Sequence, residues 1–219
     1  MIFCMDPLVI VLIVLSIVLI VVLLPFAIAR KRERLSGEYG ERKVYEFIED
    51  LKADGEIIIN NYLASRNSKG TSSIQIDHIF ISHKGVFVIE TKDYRGRIYG
   101  DRYQNSWTQT IGYKRIQKNK LYNPIRQNET HTRYVERIVC RRVPFYNIVI
   151  FLKADISRVS NSSDILFDPY SFASWYRHLH NGCLSDSMIN QINSRLVDEM
   201  NNHPITKEEH INNIHRRHG

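Results

Sequence analysis

A central mixed β-sheet with helices on both faces, preceded by one membrane-spanning helix, is the architecture that the 219-residue sequence predicts. Three observations predict it. Leu8 to Ala29 is an uncharged apolar run broken only by Ser16. Between residues 56 and 92 lie β-rich apolar segments bounded by Gly, Ser and Asn clusters. On either side of them, apolar residues recur at helical spacing.

At 1.5 Å rise per residue, the run from Leu8 to Ala29 matches a hydrocarbon core of about 30 Å. Arg30, Lys31, Arg32 and Arg34 follow it, and only Asp6 precedes it. This asymmetry places the N-terminus outside and the remainder in the cytoplasm. A cleaved signal peptide is the competing reading, since Ala27-Ile28-Ala29 resembles a cleavage site. The basic n-region of such a peptide is absent. Residues 1–34 are therefore read as anchor and basic juxtamembrane segment, 35–155 as the core domain, 156–200 as its helical extension and 201–219 as a polar, frayed tail.

Composition narrows the class further. Charged residues make up 24% and aromatics 11%, which excludes a disordered or fibrous chain. Cys4, Cys140 and Cys183 are scattered and odd in number, so neither a disulfide framework nor a CxxC zinc site is possible. Beyond residue 34 the chain holds 26 basic and 21 acidic side chains, a modest excess compatible with a polyanion or an anionic membrane surface.

The elements then follow in order. Ser36 to Lys52 reads as a helix with Val44, Phe47, Ile48 and Leu51 on one stripe and Ser36 as cap. Asp54-Gly55 stops it, and Glu56 to Leu63 is a strand. Ile74 to Ser82 and Val86 to Lys92 form a hairpin through Ser-His-Lys-Gly. Gly96 to Trp107 makes a second hairpin. Asn123 caps a helix that opens with Pro124 and runs to about Cys140. Tyr146 to Leu152 is a buried strand, Ile165 to Phe167 a short one, and Phe172 to His180 and Leu184 to Met200 are closing helices.

The central hairpin carries the chemistry. Val86 to Ile89 is apolar at successive positions, the mark of a strand covered on both faces, yet it ends Glu90-Thr91-Lys92. Asp77 interrupts the preceding strand in the same way. A two- or four-residue loop sets Asp77 opposite Glu90 on one face, whereas a three-residue loop separates them. Two carboxylates about 5 Å apart repel by about 3 kcal/mol at an effective dielectric near 20. A proton, the Lys92 ammonium or a divalent cation must offset that. A salt-bridged strand end would show the same residues. Glu41 on the first helix, and Gln127 and His131 on the second, also intrude on faces that should be apolar. Together these intrusions point to one shared polar site. His78 has the opposite parity to Asp77 and is read as a packed histidine. Arg95, Arg97, Arg102 and Trp107 lie on the second hairpin among tyrosines, a mixture that suits nucleic acid and an amphipathic ribbon equally.

Residues 37–139 resemble the nuclease-related domain (NERD), a branch of the PD-(D/E)xK, restriction-endonuclease-like superfamily. The matching residues are Gly37-x-x-Gly40-Glu41, Gln75 to His78, Gly85 to Lys92, Gly96 with Trp107, and Asn123-Pro124-x-x-Gln127. The resemblance implies an αβββαβ core and metal-dependent hydrolysis of nucleic-acid phosphodiesters, DNA foremost. It implies that Asp77 and Glu90 ligate Mg²⁺ or Mn²⁺ and that Lys92 orients or activates water. Glu41 would support a metal-bound water and Gln127 would steady the site. The superfamily's proline before the first aspartate is replaced by Ile76. A catalytically inactive, membrane-anchored nucleic-acid-binding or scaffold module on the same fold is the alternative.

Overall fold

The computed structural model describes residues 7–67, 69–139, 142–180, 182 and 184–218. Asp6 and the three cysteines lie outside them. The chain divides into two compact units, Met1–Tyr39 and Gly40–Gly219.

The first unit is helical. Helix α1 spans Pro7–Leu51, so the apolar run and the first amphipathic stretch belong to one 45-residue element and Ser36 is not a cap. Leu35 and the basic residues around it are good helix formers, and nothing there stops the helix. Among the described residues, no helix is long and apolar enough to cross a membrane, so the expected membrane-spanning segment over 8–29 is not supported. In α1 that run continues directly into the charged stretch after it, and its described Leu, Ile and Val side chains are exposed.

The second unit is a mixed α/β domain with two mixed sheets. The larger sheet has the order β1-β2-β3-β7-β9, formed by Ile57–Ser65, Ser73–Ser82, Gly85–Lys92, Phe145–Phe151 and Leu166–Phe167. β1, β2 and β3 are antiparallel neighbours, and β3–β7 and β7–β9 are parallel. Between β3 and helix α2 (Pro124–Val139), the chain inserts β4 (Arg97–Asp101), β5 (Ser106–Ile111) and β6 (Gln117–Tyr122). With β8 (Asp155–Ser160) these build a second sheet of order β6-β5-β4-β8. The expected hairpin is thus half of a four-stranded sheet.

Two apolar layers cover the larger sheet. On one face, Ile79, Ile81, Val86 and Val88 pack with Val135 and Val139 of α2 and with Ile189, Ile192 and Leu196 of α4 (Asp186–Asn202). On the other, Phe80, Phe87 and Ile89 meet Val44 and Ile48 of α1 and Phe172 and Tyr176 of α3 (Pro169–His178). The polar C-terminal segment is a further helix, α5 (Lys207–His218). It is tied down by His210, whose Nδ1 lies 2.8 Å from Ser73 Oγ, and by Asn213, which donates to the Gly70 carbonyl at 2.8 Å.

The β2–β3 loop has two residues, His83 and Lys84, with Ser82 opposite Gly85. Gly85 has φ 142°, and a Cβ there would stand 2.7 Å from the Pro144 carbonyl oxygen, so only glycine fits. Lys84 is buried and donates to the Tyr176 and Leu179 carbonyls at 2.8 and 3.0 Å, clamping the loop to the end of α3. Asn123 caps α2, its Oδ1 accepting from Ile125 N at 2.9 Å.

One irregularity crosses β1 and β2. Ile57 and Ile59, then Tyr62 and Ala64, share one apolar cluster although their parity differs, and so do Ile79 and Ile81 with Ile74 and Ile76. Both strands therefore turn over together, at Asn61 and Asp77. Pairing skips these two residues while the register on either side is unchanged, and Asn61 takes a left-handed φ of 49°.

Helix α2 is pinned to the sheet by Asn128. Its Nδ2 reaches the Val88 and Ile148 carbonyls at 2.7 and 3.0 Å, in full burial. Asn128→Ala removes the buried donor that these carbonyls and Asn147 Oδ1 share, and is expected to lower unfolding stability by about 2 kcal/mol, read from urea denaturation.

Candidate active site

The site forms where β2 and β3 part. Their pairing runs from Ser82↔Gly85 to His78↔Ile89 and stops there. Extended by one pair, this register sets Asp77 opposite Glu90, as the two-residue loop requires. Beyond Ile89, β3 keeps only β7 as neighbour, with Glu90↔Val149 and Lys92↔Phe151. The Thr91 N–H on the open side donates to Asp77 Oδ2 at 2.8 Å. A side-chain carboxylate thus takes the place of a strand carbonyl, which fixes Asp77 at the fork.

Glu90 is almost fully buried at 3% exposure. Its Oε1 accepts from Lys92 Nζ at 2.5 Å and from Gln127 Nε2 at 2.8 Å. Gln127 closes the triangle, since its Oε1 accepts from Lys92 Nζ at 3.2 Å. The other Glu90 oxygen, Oε2, has no hydrogen-bond partner. Its near neighbour is His131 Nδ1 at 3.5 Å, within ion-pair range but too long for a hydrogen bond. Gln127 and His131 lie one turn apart on α2, flanking the pinned Asn128.

Glu41 arrives on α1, next to Gly40. A Cβ on Gly40 would stand 2.9 Å from Asp93 Cβ and 3.2 Å from Leu152 Cδ1, so the glycine is what lets this turn come close to the end of β3. Glu41 is half-buried and adds its repulsion to Asp77.

The charges couple accordingly. Burial, then the Glu90 and Glu41 carboxylates, push Asp77 well above the usual range, against the pull of Lys92 and the Thr91 N–H. Lys92 is opposed by its burial, but Glu90, Tyr94 and Asp77 outweigh this and raise it, so the ammonium keeps its proton. Burial lowers His131 despite Glu90 beside it. His78 is held down to about 4 by burial and faces Asn60, with its Nδ1 on Asn60 Oδ1.

The structure therefore gathers Asp77, Glu90, Lys92, Gln127 and Glu41 into one cluster and adds His131, which sequence pattern flagged only as a polar intrusion on α2. It does not bring Trp107 to a surface. Trp107 is 1% exposed, donates from Nε1 to the Asp101 carbonyl at 2.9 Å and packs on Gly100, where a Cβ would come within 2.3 Å of the indole. Its expected contact with nucleic acid is corrected: a buried indole offers no face to a base. Arg97 pairs with Asp155 at 2.9 Å, Arg102 lies 3.7 Å from Asp164, and Arg95 is exposed.

Among the described residues, no three His, Cys, Asp or Glu side chains are grouped to hold a metal ion. What the fork offers is two hard carboxylates, one with an oxygen that lacks a hydrogen bond. That donor set fits Mg²⁺, which takes one or two carboxylates and keeps several waters.

The sequence profile described as "NERD: Nuclease-related domain" matches residues 36–152. An uncharacterized protein of Bacillus anthracis is 32% identical over 148 residues, covering 66% of this chain and 68% of that protein. No solved structure gives a significant match.

Asp77 has a folded-state pKa above its ordinary 3.8, so the stability it contributes is complete below that value and is lost as pH rises through the folded value. Asp77→Asn, which can still accept from Thr91, is expected to raise the melting temperature of the metal-free protein at neutral pH. The gain should vanish toward pH 4, as read from thermal unfolding across a pH series.

Proposed function

Because this chain belongs to the nuclease-related domain family, we propose that it is a divalent-metal-dependent nuclease acting on nucleic acid, DNA foremost. The observation that carries the reading is Glu90: buried, with one oxygen locked by Lys92 and Gln127 and the other without a hydrogen bond, while its charge acts on Asp77.

Asp77 and Glu90 are the residues that would hold Mg²⁺ or Mn²⁺, which when bound acidifies water and neutralises phosphate charge. The remaining roles belong to the chain. Lys92 keeps its proton at neutral pH, so it acts as a fixed positive charge that orients water and the phosphate oxygens, not as a base. Gln127 is a positioning residue, because its amide holds Glu90 and Lys92 at one spacing. Glu41 offers a carboxylate to a water on the Asp77 side. His131 is kept neutral by burial and so has a lone pair with which to receive a proton beside Glu90.

A binding or scaffold module without turnover is the second reading. The Lys92 ammonium 2.5 Å from Glu90 favours it, since that contact offsets the acid without any metal. Titration separates the two. A nuclease should gain thermal stability with Mg²⁺ and cut DNA, and Asp77→Ala or Glu90→Ala should remove the Mg²⁺ stabilisation and lower cleavage by about a thousandfold. Gln127→Ala should lower cleavage by about tenfold, since only positioning is lost. Cleavage that needs no metal, or that survives in both acid variants, would sink the proposal.

Location is a separate proposal. Exposed apolar side chains between Leu8 and Ile28, with exposed Lys31 and Arg32 after them, suit contact with an anionic lipid surface. Co-sedimentation of the full chain with anionic vesicles tests this, with neutral vesicles in high salt expected to retain less.

A further inference from the structure

We infer that the outer face of the second sheet is a platform for a single nucleic-acid strand. This rests on the reading that the chain acts on nucleic acid, and it names the form of substrate and the surface that holds it.

The charge distribution is the first support. Of the chain's 30 Lys and Arg and 23 Asp and Glu, the insert of residues 93–123 holds seven and two, leaving 23 and 21 elsewhere. Five of the seven net positive charges are therefore carried by one insert. Tyr113, 97% exposed, projects from its β5–β6 loop between Gly112 and Lys114.

Register supplies the second support. Lys120 pairs with Thr108, Thr108 with Tyr99, and Tyr99 with Arg158, making one row across four strands. The strand spacing makes that row about 14 Å long. The next row runs Lys118, Thr110, Arg97 and Asp155. Tyr122 has the parity of Lys118 and Lys120, shares their face and is 63% exposed. The opposite face is closed by Ile98, Trp107 and Leu121. Cations flank tyrosine rings on an exposed surface. Such rings stack on unpaired bases while the cations meet phosphates, and a duplex keeps its base faces to itself.

Connectivity supplies the third. The insert leaves β3 at Lys92 and returns at Pro124, three residues before Gln127. One of its ends is thus a residue of the candidate active site, and the other lies about one helical turn from Gln127.

The test is binding of a fluorescein-labelled single-stranded DNA oligonucleotide to the full chain in EDTA, read by anisotropy over a salt series. Lys118→Gln with Lys120→Gln should reduce the slope of log K against log salt by about 1.4, or about 0.7 per phosphate contact. Tyr122→Ala should weaken binding about tenfold, and Tyr122→Phe should not. Arg133→Gln with Arg137→Gln, on the exposed side of α2, is the control surface and should leave affinity unchanged. Duplex affinity equal to single-strand affinity would overturn the inference. So would loss of binding only in the α2 variant, or unchanged binding in the lysine variant with self-association through the β6 edge. Binding without cleavage would fail the nuclease reading and leave the platform standing. Cleavage with indifferent sheet variants would do the reverse.

Discussion

The repulsion between two carboxylates on neighbouring strands is the constraint to which the rest of the domain answers. Asp77 and Glu90 are brought together by a two-residue loop that glycine makes possible and Lys84 clamps. Once there, neither can be left alone in so dry a place. Lys92 and Gln127 occupy one Glu90 oxygen, Thr91 gives its backbone N–H to Asp77, and α2 is pinned by Asn128 so that Gln127 and His131 arrive at the right height. A structure that sought only stability would fill such a fork with aliphatic side chains. Retaining three acids and an ammonium there is a cost in folding that chemistry explains better than packing does.

Much of this was legible in the chain itself. Counting residues from Asp77 to Glu90 sets them opposite each other for a two- or four-residue loop and apart for a three-residue one, and the structure has the two-residue loop. Asn123-Pro124 marks the start of α2 through capping chemistry that is local and therefore visible. Glu41, Gln127 and His131 stand out because each breaks an apolar stripe.

What was not legible depends on partners distant in sequence. Gln117–Tyr122 has no apolar run, and it is a strand because β5 pairs with it. Trp107 looks like a stacking residue until Gly100 is seen to make room for its indole in the core. The tail from Lys207 is too polar to read as a packed helix, yet Ser73 and the Gly70 carbonyl hold His210 and Asn213. Ser36 reads as a cap only if the helix begins there, and α1 runs through it. In each case a long-range contact overrides the local signal.

The matched turnover of β1 and β2 at Asn61 and Asp77 has a bearing on how this sheet could change over time. Each strand carries one residue more than regular alternation allows, and the two excesses cancel. Losing either residue by itself would turn half a strand inside out, sending isoleucines to water and polar groups into the interior. Lengthening or shortening of this hairpin is therefore tolerable only as a coordinated two-site event, and the acid at the fork is held in place by a neighbour that never touches the chemistry.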